Sequence, residues 1–135
     1  MIKSPFKKGY ACWLSKAEGD LLVKAAPHSG AKIAIRLGLN GLRVHEIAKI
    51  TNEDKIHDET VGLLGRVIGK ATPEYPEGKP RTFPLDSRLE FADFELCNVS
   101  TRTLISWMDT TRKAAARLSG DDDYHSVTMH DLSLI

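Results

Sequence analysis

An α+β domain, mostly helical with one small antiparallel β-sheet, is predicted by three observations. Helical hydrophobic spacing dominates both ends of the 135-residue chain, and short β-type runs around a Pro/Gly-rich connector interrupt it near the middle. The length is that of one domain, enough to bury roughly two-thirds of the unfolded surface. A hydrophobic content of 41% argues against wholesale disorder.

The first helix lies in "WLSKAEGDLLVKAA". Ser15 and Glu18 have capping-box spacing, Leu14 is the apolar residue before the cap, and Leu21, Leu22 and Ala25 recur at helical intervals. Pro27 closes this helix near Ala26, because proline has no N–H to continue the ladder. After the loop "PHSG", the run "AKIAIRLGLN" places Ile33, Ile35 and Leu37 around most of a second helix, which Asn40 and Gly41 stop. "RVHEIAKI" predicts a short third helix, and "TNEDKIHDET" an acidic turn. "VGLLGRVIGK" and "RTFPLD" flank "ATPEYPEGKP" and predict a β-hairpin with a long tip. "TRTLISWMDTTRKAAARLSG" predicts the longest helix, with a stripe of Leu104, Trp107, Met108, Thr111, Ala115 and Leu118, ended by Gly120. Residues 1–12 are expected to be a basic leader and residues 13–135 the folded domain.

No apolar run approaches the roughly 20 residues that span a bilayer, and the basic N-terminus has no following apolar stretch, so neither a membrane segment nor a secretory signal is predicted. Cys12 and Cys97 are isolated and lack metal-ligand spacing, which fits a reduced, cytoplasmic protein with no metal site. The net charge of +1 conceals segregation. Residues 1–49 carry nine Lys/Arg against Glu18, Asp20 and Glu46. Residues 100–118 carry Arg102, Arg112, Lys113 and Arg117 against Asp109. Such a pattern makes either a basic face for a polyanion or a set of solvated helix faces.

Four positions carry candidate chemistry. Arg43 follows a glycine-ended helix, so it is anchored near the core and can grip two phosphate oxygens with its planar fork. Glu46, three residues on, can orient a cationic group, although an ordinary surface salt bridge to Arg43 is the plainer reading. Lys70 starts the hairpin tip, with Lys79 and Arg81 on the returning side; such lysines reach into nucleic-acid grooves or merely keep sheet ends hydrated. His130, in "MHDL", opens an expected helical turn and is either a site residue or a structural cap.

The order "GLR", Glu46, "GRVIGK", "RTFPL", a long helix and "HDL" resembles the catalytic domain of the tyrosine recombinase (phage integrase) family, most of all archaeal integrases, over about residues 13–132. The resemblance implies a metal-free and cofactor-free reaction on double-stranded DNA, in which a tyrosine attacks the scissile phosphate and a 5′-hydroxyl leaves. It implies that Arg43 binds nonbridging phosphate oxygens, Lys70 is the general acid, His130 contacts the phosphate or assists proton transfer, and Glu46 supports the site. Developing phosphoryl charge needs such preorganised donors, each contributing about 3 kcal/mol. Lys70, Lys79, Arg81 and Arg43 would together form the DNA-binding set.

The pattern departs from the family in two places. Ser133 stands where the His-x-x-Arg motif has its second arginine, and Tyr10, Tyr75 and Tyr124 all precede His130. The segment before Trp13 is also too short for a separate DNA-clamping domain. The resemblance is therefore to a C-terminally truncated core that binds DNA and does not cut it alone. Two other readings stay open: a regulatory module that pairs with a second copy or a full-length recombinase, and an enzyme completed in trans.

Overall fold

A computed structural model describes residues 1–69 and 71–133. The chain runs β1 (Ile2–Phe6), β2 (Gly9–Trp13), α1 (Lys16–Ala25), α2 (Ser29–Leu39), α3 (Val44–Lys49), β3 (Lys55–Asp58), β4 (Gly62–Ile68), β5 (Pro80–Pro84), α4 (Thr101–Ser119) and α5 (Met129–Leu132). Short 3-10 turns lie at Asn52–Asp54, Ser87–Leu89, Phe94–Cys97 and Asp122–Ser126. The architecture is α+β, about half helical, with two small antiparallel sheets.

Local chemistry explains the helix ends. Ser15 and Glu18 form the reciprocal cap at the start of α1, with Ser15 N–H donating to Glu18 Oε1 at 2.8 Å and Glu18 N–H to Ser15 Oγ at 3.2 Å. α2 begins earlier than its hydrophobic run, because His28 acts as its cap: Nδ1 accepts from Ala31 N–H at 3.2 Å. The His28 ring stands edge-on to Trp107 at 4.6 Å between centroids. Gly41 adopts φ +103°, a conformation that strains side-chain-bearing residues, so the chain turns sharply from α2 toward α3.

α4 is the central element, packed against α1, α2, α3 and the turn at Asp122–Ser126. Its face of Leu104, Met108, Thr111 and Ala115 is buried, with Leu22, Ile35, Leu37, Ile47 and Leu132 in the same core. Thr111 belongs in that apolar face because its hydroxyl donates to Trp107 O at 2.7 Å and leaves only its methyl to pack. The stripe ends a turn early: Leu118 is 62% exposed and Ala116 is buried in its stead, while Trp107 is half-buried.

Two expectations are revised. Residues 1–12, expected as a basic leader, form with Trp13 the β1–β2 hairpin, in register Ile2↔Trp13 to Phe6↔Gly9. Its inner edge is fixed to the end of the described chain. Cys12 is fully buried, and its N–H donates at 3.1 Å to Oδ1 of the buried Asp131. Asp131 Oδ2 accepts from Thr128 N–H at 2.8 Å and Thr128 Oγ1 at 3.1 Å, which caps α5. The second correction concerns the acidic turn, part of which is β3. The sheet is three-stranded, in order β3-β4-β5, with Ile56↔Leu64 and Gly65↔Phe83 among its pairs. β3 is an edge strand held by its backbone, almost wholly exposed, so no apolar alternation marks it.

One amide joins the sheet to the helices. Asn40 Nδ2 donates to Arg36 O at 2.7 Å, and its Oδ1 accepts from Asp86 N–H at 2.8 Å. The end of α2 is thereby fixed to the exit of β5. α5 comes close to α2 at Gly38, where a Cβ would meet Leu132 Cδ1 at 2.7 Å, so only glycine admits Leu132 at full depth. Cys12 and Cys97 are both buried free thiols; burial pushes Cys97 up to about 12, and its Sγ donates to Gly30 O at 3.3 Å. No described helix is long and apolar enough to cross a membrane.

Asp131→Asn should lower folding stability by about 1–3 kcal/mol, because an amide sets a donor against donors at a buried position. Urea denaturation of the variant checks this. A pH-dependent contribution comes from Asp86, whose carboxyl is held down from 3.8 to about 2 by hydrogen bonds from the Arg88 side chain and backbone N–H, against partial desolvation. Its folded value lies below the unfolded one, so this stabilisation is complete above the unfolded value and is lost as pH falls toward about 2. Asp86→Asn should therefore lower the urea midpoint at neutral pH and flatten the acid limb of the stability profile within that window.

Candidate functional site

The turn from α2 into α3, the tip-proximal ends of β4 and β5, and the residue after α5 surround an open cleft of about 600 Å³. Gly41, Arg43, Glu46, Gly69, Lys79, Arg81 and Ser133 line it. Each wall has a local cause. Gly41 turns the chain so that Arg43 becomes the cap residue of α3, with extended φ −81° and ψ 157°. Val67↔Arg81 pairing sets Arg81 on the sheet edge above the helix. α5, docked against Gly38, delivers Ser133.

Glu46 is the centre of the arrangement. It is 3% exposed, yet both its oxygens accept hydrogen bonds. Oε1 accepts from Arg43 N–H at 2.9 Å and from Arg81 Nη2 at 2.8 Å, while Oε2 accepts from Arg81 Nε at 3.3 Å. The two-point contact fixes the plane of the Arg81 guanidinium, which also lies 5.5 Å from the Phe83 ring centroid. A guanidinium has five N–H donors, so three remain for a ligand. Glu46 therefore does orient a cation, but Arg81 is that cation. The expected salt bridge to Arg43 is not formed: Glu46 takes the backbone N–H of Arg43, and the Arg43 side chain is exposed, with no hydrogen bond or ion pair among the described residues. Lys79 is exposed, its Nζ 5.6 Å from the Tyr75 ring centroid.

The structure thus brings Arg43, Glu46, Lys79 and Arg81 together and adds Ser133. Lys70, the proposed general acid, lies outside the described residues. His130 does not line this cleft. It is exposed on α5 and faces two neighbouring depressions, one with Lys7, Lys8, Arg112 and His125, the other a small apolar groove with Val44, Ile105 and Met108. None of the three tyrosines lines the cleft, and Tyr124 is 4% exposed, with burial pushing its phenol up. Among the described residues no group of three or more His, Cys, Asp or Glu could hold a metal ion.

No family model, curated protein or solved structure matches the chain. The cleft's chemistry is therefore argued from its own side chains. Arg81 is legible in the sequence as a basic residue of the expected DNA-binding set, but its pairing with Glu46, 35 positions away, is not. Asp131, next to His130, lies outside this cleft, and its Thr-x-x-Asp spacing from Thr128, a helix-capping pattern, is the local signal of its role.

Glu46→Gln should lower stability by about 1.5–3 kcal/mol, since it weakens hydrogen bonds to a charged group and turns an amide donor toward a guanidinium. Thermal denaturation measures the loss. Arg43→Ala, with only its backbone engaged, should leave stability within about 0.5 kcal/mol of the parent.

Proposed function

We propose that the cleft binds the phosphodiester backbone of double-stranded DNA, as a recombinase-like core that grips a phosphate without cutting the strand. The observation that carries this reading is the convergence of Arg43, Lys79 and Arg81 on one opening whose single acid, Glu46, is consumed by internal hydrogen bonds. The local balance is therefore cationic even though the whole chain is nearly neutral. Arg81 is held in place before any ligand arrives, so it loses little freedom on binding a phosphate oxygen. Arg43 brings an unengaged fork from the other wall.

The same residues support likeness to a tyrosine recombinase. An arginine after a helix-ending glycine, a buried acid three residues on and basic residues at a hairpin tip are the features the resemblance asks for. Ser133, which the resemblance sets at the motif's second arginine, lines the cleft. It replaces a charged fork with one hydroxyl, which weakens a phosphate clamp and withdraws transition-state stabilisation. With no phenol in the cleft, binding without covalent chemistry is the reading that fits these side chains.

Fluorescence anisotropy with a short labelled duplex over a salt series tests the proposal. Binding should tighten steeply as salt falls and depend little on sequence. Arg43→Ala and Lys79→Ala should each weaken binding across all sequences and lower the log–log salt slope by about one. Absence of DNA retention at low salt, or an unchanged slope in both variants, would overturn the reading. A covalent adduct with a nicked suicide duplex would overturn the claim that this polypeptide does not cut.

A further inference from the structure

A second basic depression is separate from the Arg43 cleft, and of its lining residues the recombinase resemblance gives a role to His130 alone. It has a volume of about 630 Å³ and lies between the β1–β2 turn, α4, the turn at Asp122–Ser126 and α5. Lys7 and Lys8 from the hairpin turn, Arg112 from α4, His125 from the Asp122–Ser126 turn and His130 from α5 contribute five basic side chains from four elements. The one acid on its wall, Asp131, is 1% exposed, and both its oxygens are occupied by Cys12 and Thr128. Arg112 is part-buried and steered by Asp109 at 2.6 Å and by Val127 O at 3.2 Å. Lys7, Lys8, His125 and His130 are all exposed.

The hairpin turn supplies an independent observation. Lys7 has φ +53° and is the one non-glycine with positive φ among the described residues. Two-residue hairpin turns favour glycine or asparagine in such a conformation. Here the glycine comes two places later, at Gly9, and both turn positions are lysines facing the same depression. A residue type that a turn disfavours, placed where it adds charge to a basic hollow, fits selection for what the side chain does.

We propose that this depression is a second phosphate-binding site, formed by Lys7, Lys8 and His125 with Arg112 and His130 at its edge. Its ligand is a phosphate group, supplied by a DNA backbone or by a free polyphosphate. It is independent of the Arg43 cleft, and with DNA as ligand it extends the contacted surface to the hairpin.

Lys7→Gly with Lys8→Gln tests it without endangering the fold, since glycine relieves the left-handed strain; stability should be equal or higher, as urea denaturation would show. Parent, this double variant and Arg43→Ala are compared by DNA anisotropy over a salt series. They are also compared by amide NMR shifts on adding tripolyphosphate at matched ionic strength. In the parent, tripolyphosphate should shift the Lys8, His125 and Ser126 amides, and the double variant should lose the His125 and Ser126 shifts. With DNA, the double variant should lower the salt slope by about two, separately from the change caused by Arg43→Ala. A lowered DNA slope without tripolyphosphate shifts upholds the site and identifies DNA as its source of phosphate. Tripolyphosphate shifts without any DNA binding uphold the site with a free polyphosphate, and overturn only the DNA reading of the Arg43 cleft. If neither probe distinguishes the double variant from the parent, the proposal is overturned.

Discussion

The carboxylate of Asp131 is the constraint on which much of the structure depends. Three donors converge on it, one from Cys12 and two from Thr128, at a position 1% exposed. It closes the cap of a helix only four residues long, which has too few internal hydrogen bonds to stand alone. By the same atoms it holds the N-terminal hairpin onto the core. Both clefts inherit their geometry from this contact: Ser133 follows α5 into one, and His130 on α5 faces the other together with the hairpin lysines.

Glu46 repeats the device at a second seam. It receives a backbone N–H from the start of α3 and two guanidinium donors from β5, so a helix and a strand edge are joined through one side chain. In both places a buried acid accepts three hydrogen bonds through its two oxygens, which offsets the penalty of burying it. Around them the exposed basic residues of the two hollows face solvent without a further acid on the lining, Arg112 excepted, which pairs with Asp109 at 2.6 Å. A near-neutral chain thus displays two basic hollows, whose lining acids are turned inward.

Where information was local, the sequence was readable. Ser15 and Glu18 announced α1, Pro27 its end, Gly41 the turn into α3, and Gly120 the left-handed end of α4. What failed was long-range or lacked a hydrophobic signature. β3 buries almost no apolar side chain and is held by backbone pairing and by Lys55, whose Nζ donates to Glu90 O and Ala92 O, so "KIHD" carries no strand signature. The first hairpin looked like a charged leader because Cys12 is its single fully buried residue. The segment between β5 and α4 folds as two 3-10 turns, which have no amphipathic period, and Asn52 fixes it by accepting Phe94 N–H at 2.8 Å. The site was legible as a list of residue types: Arg43, Glu46, Lys79 and Arg81 do meet. Their pairing was not, because motif order places His130 with Arg43 whereas three-dimensional packing gives it other neighbours.

The hydrogen bond between Cys12 and Asp131 joins residues 119 positions apart. Closing a loop of that length carries an entropic cost that local contacts do not. The hairpin and α5 are therefore tied in one unit: a change that loosens Asp131 frees the inner edge of β2 and opens the cap of α5 together. The depression lined by Lys7 and Lys8 on one side and His130 on the other would lose its shape by the same event.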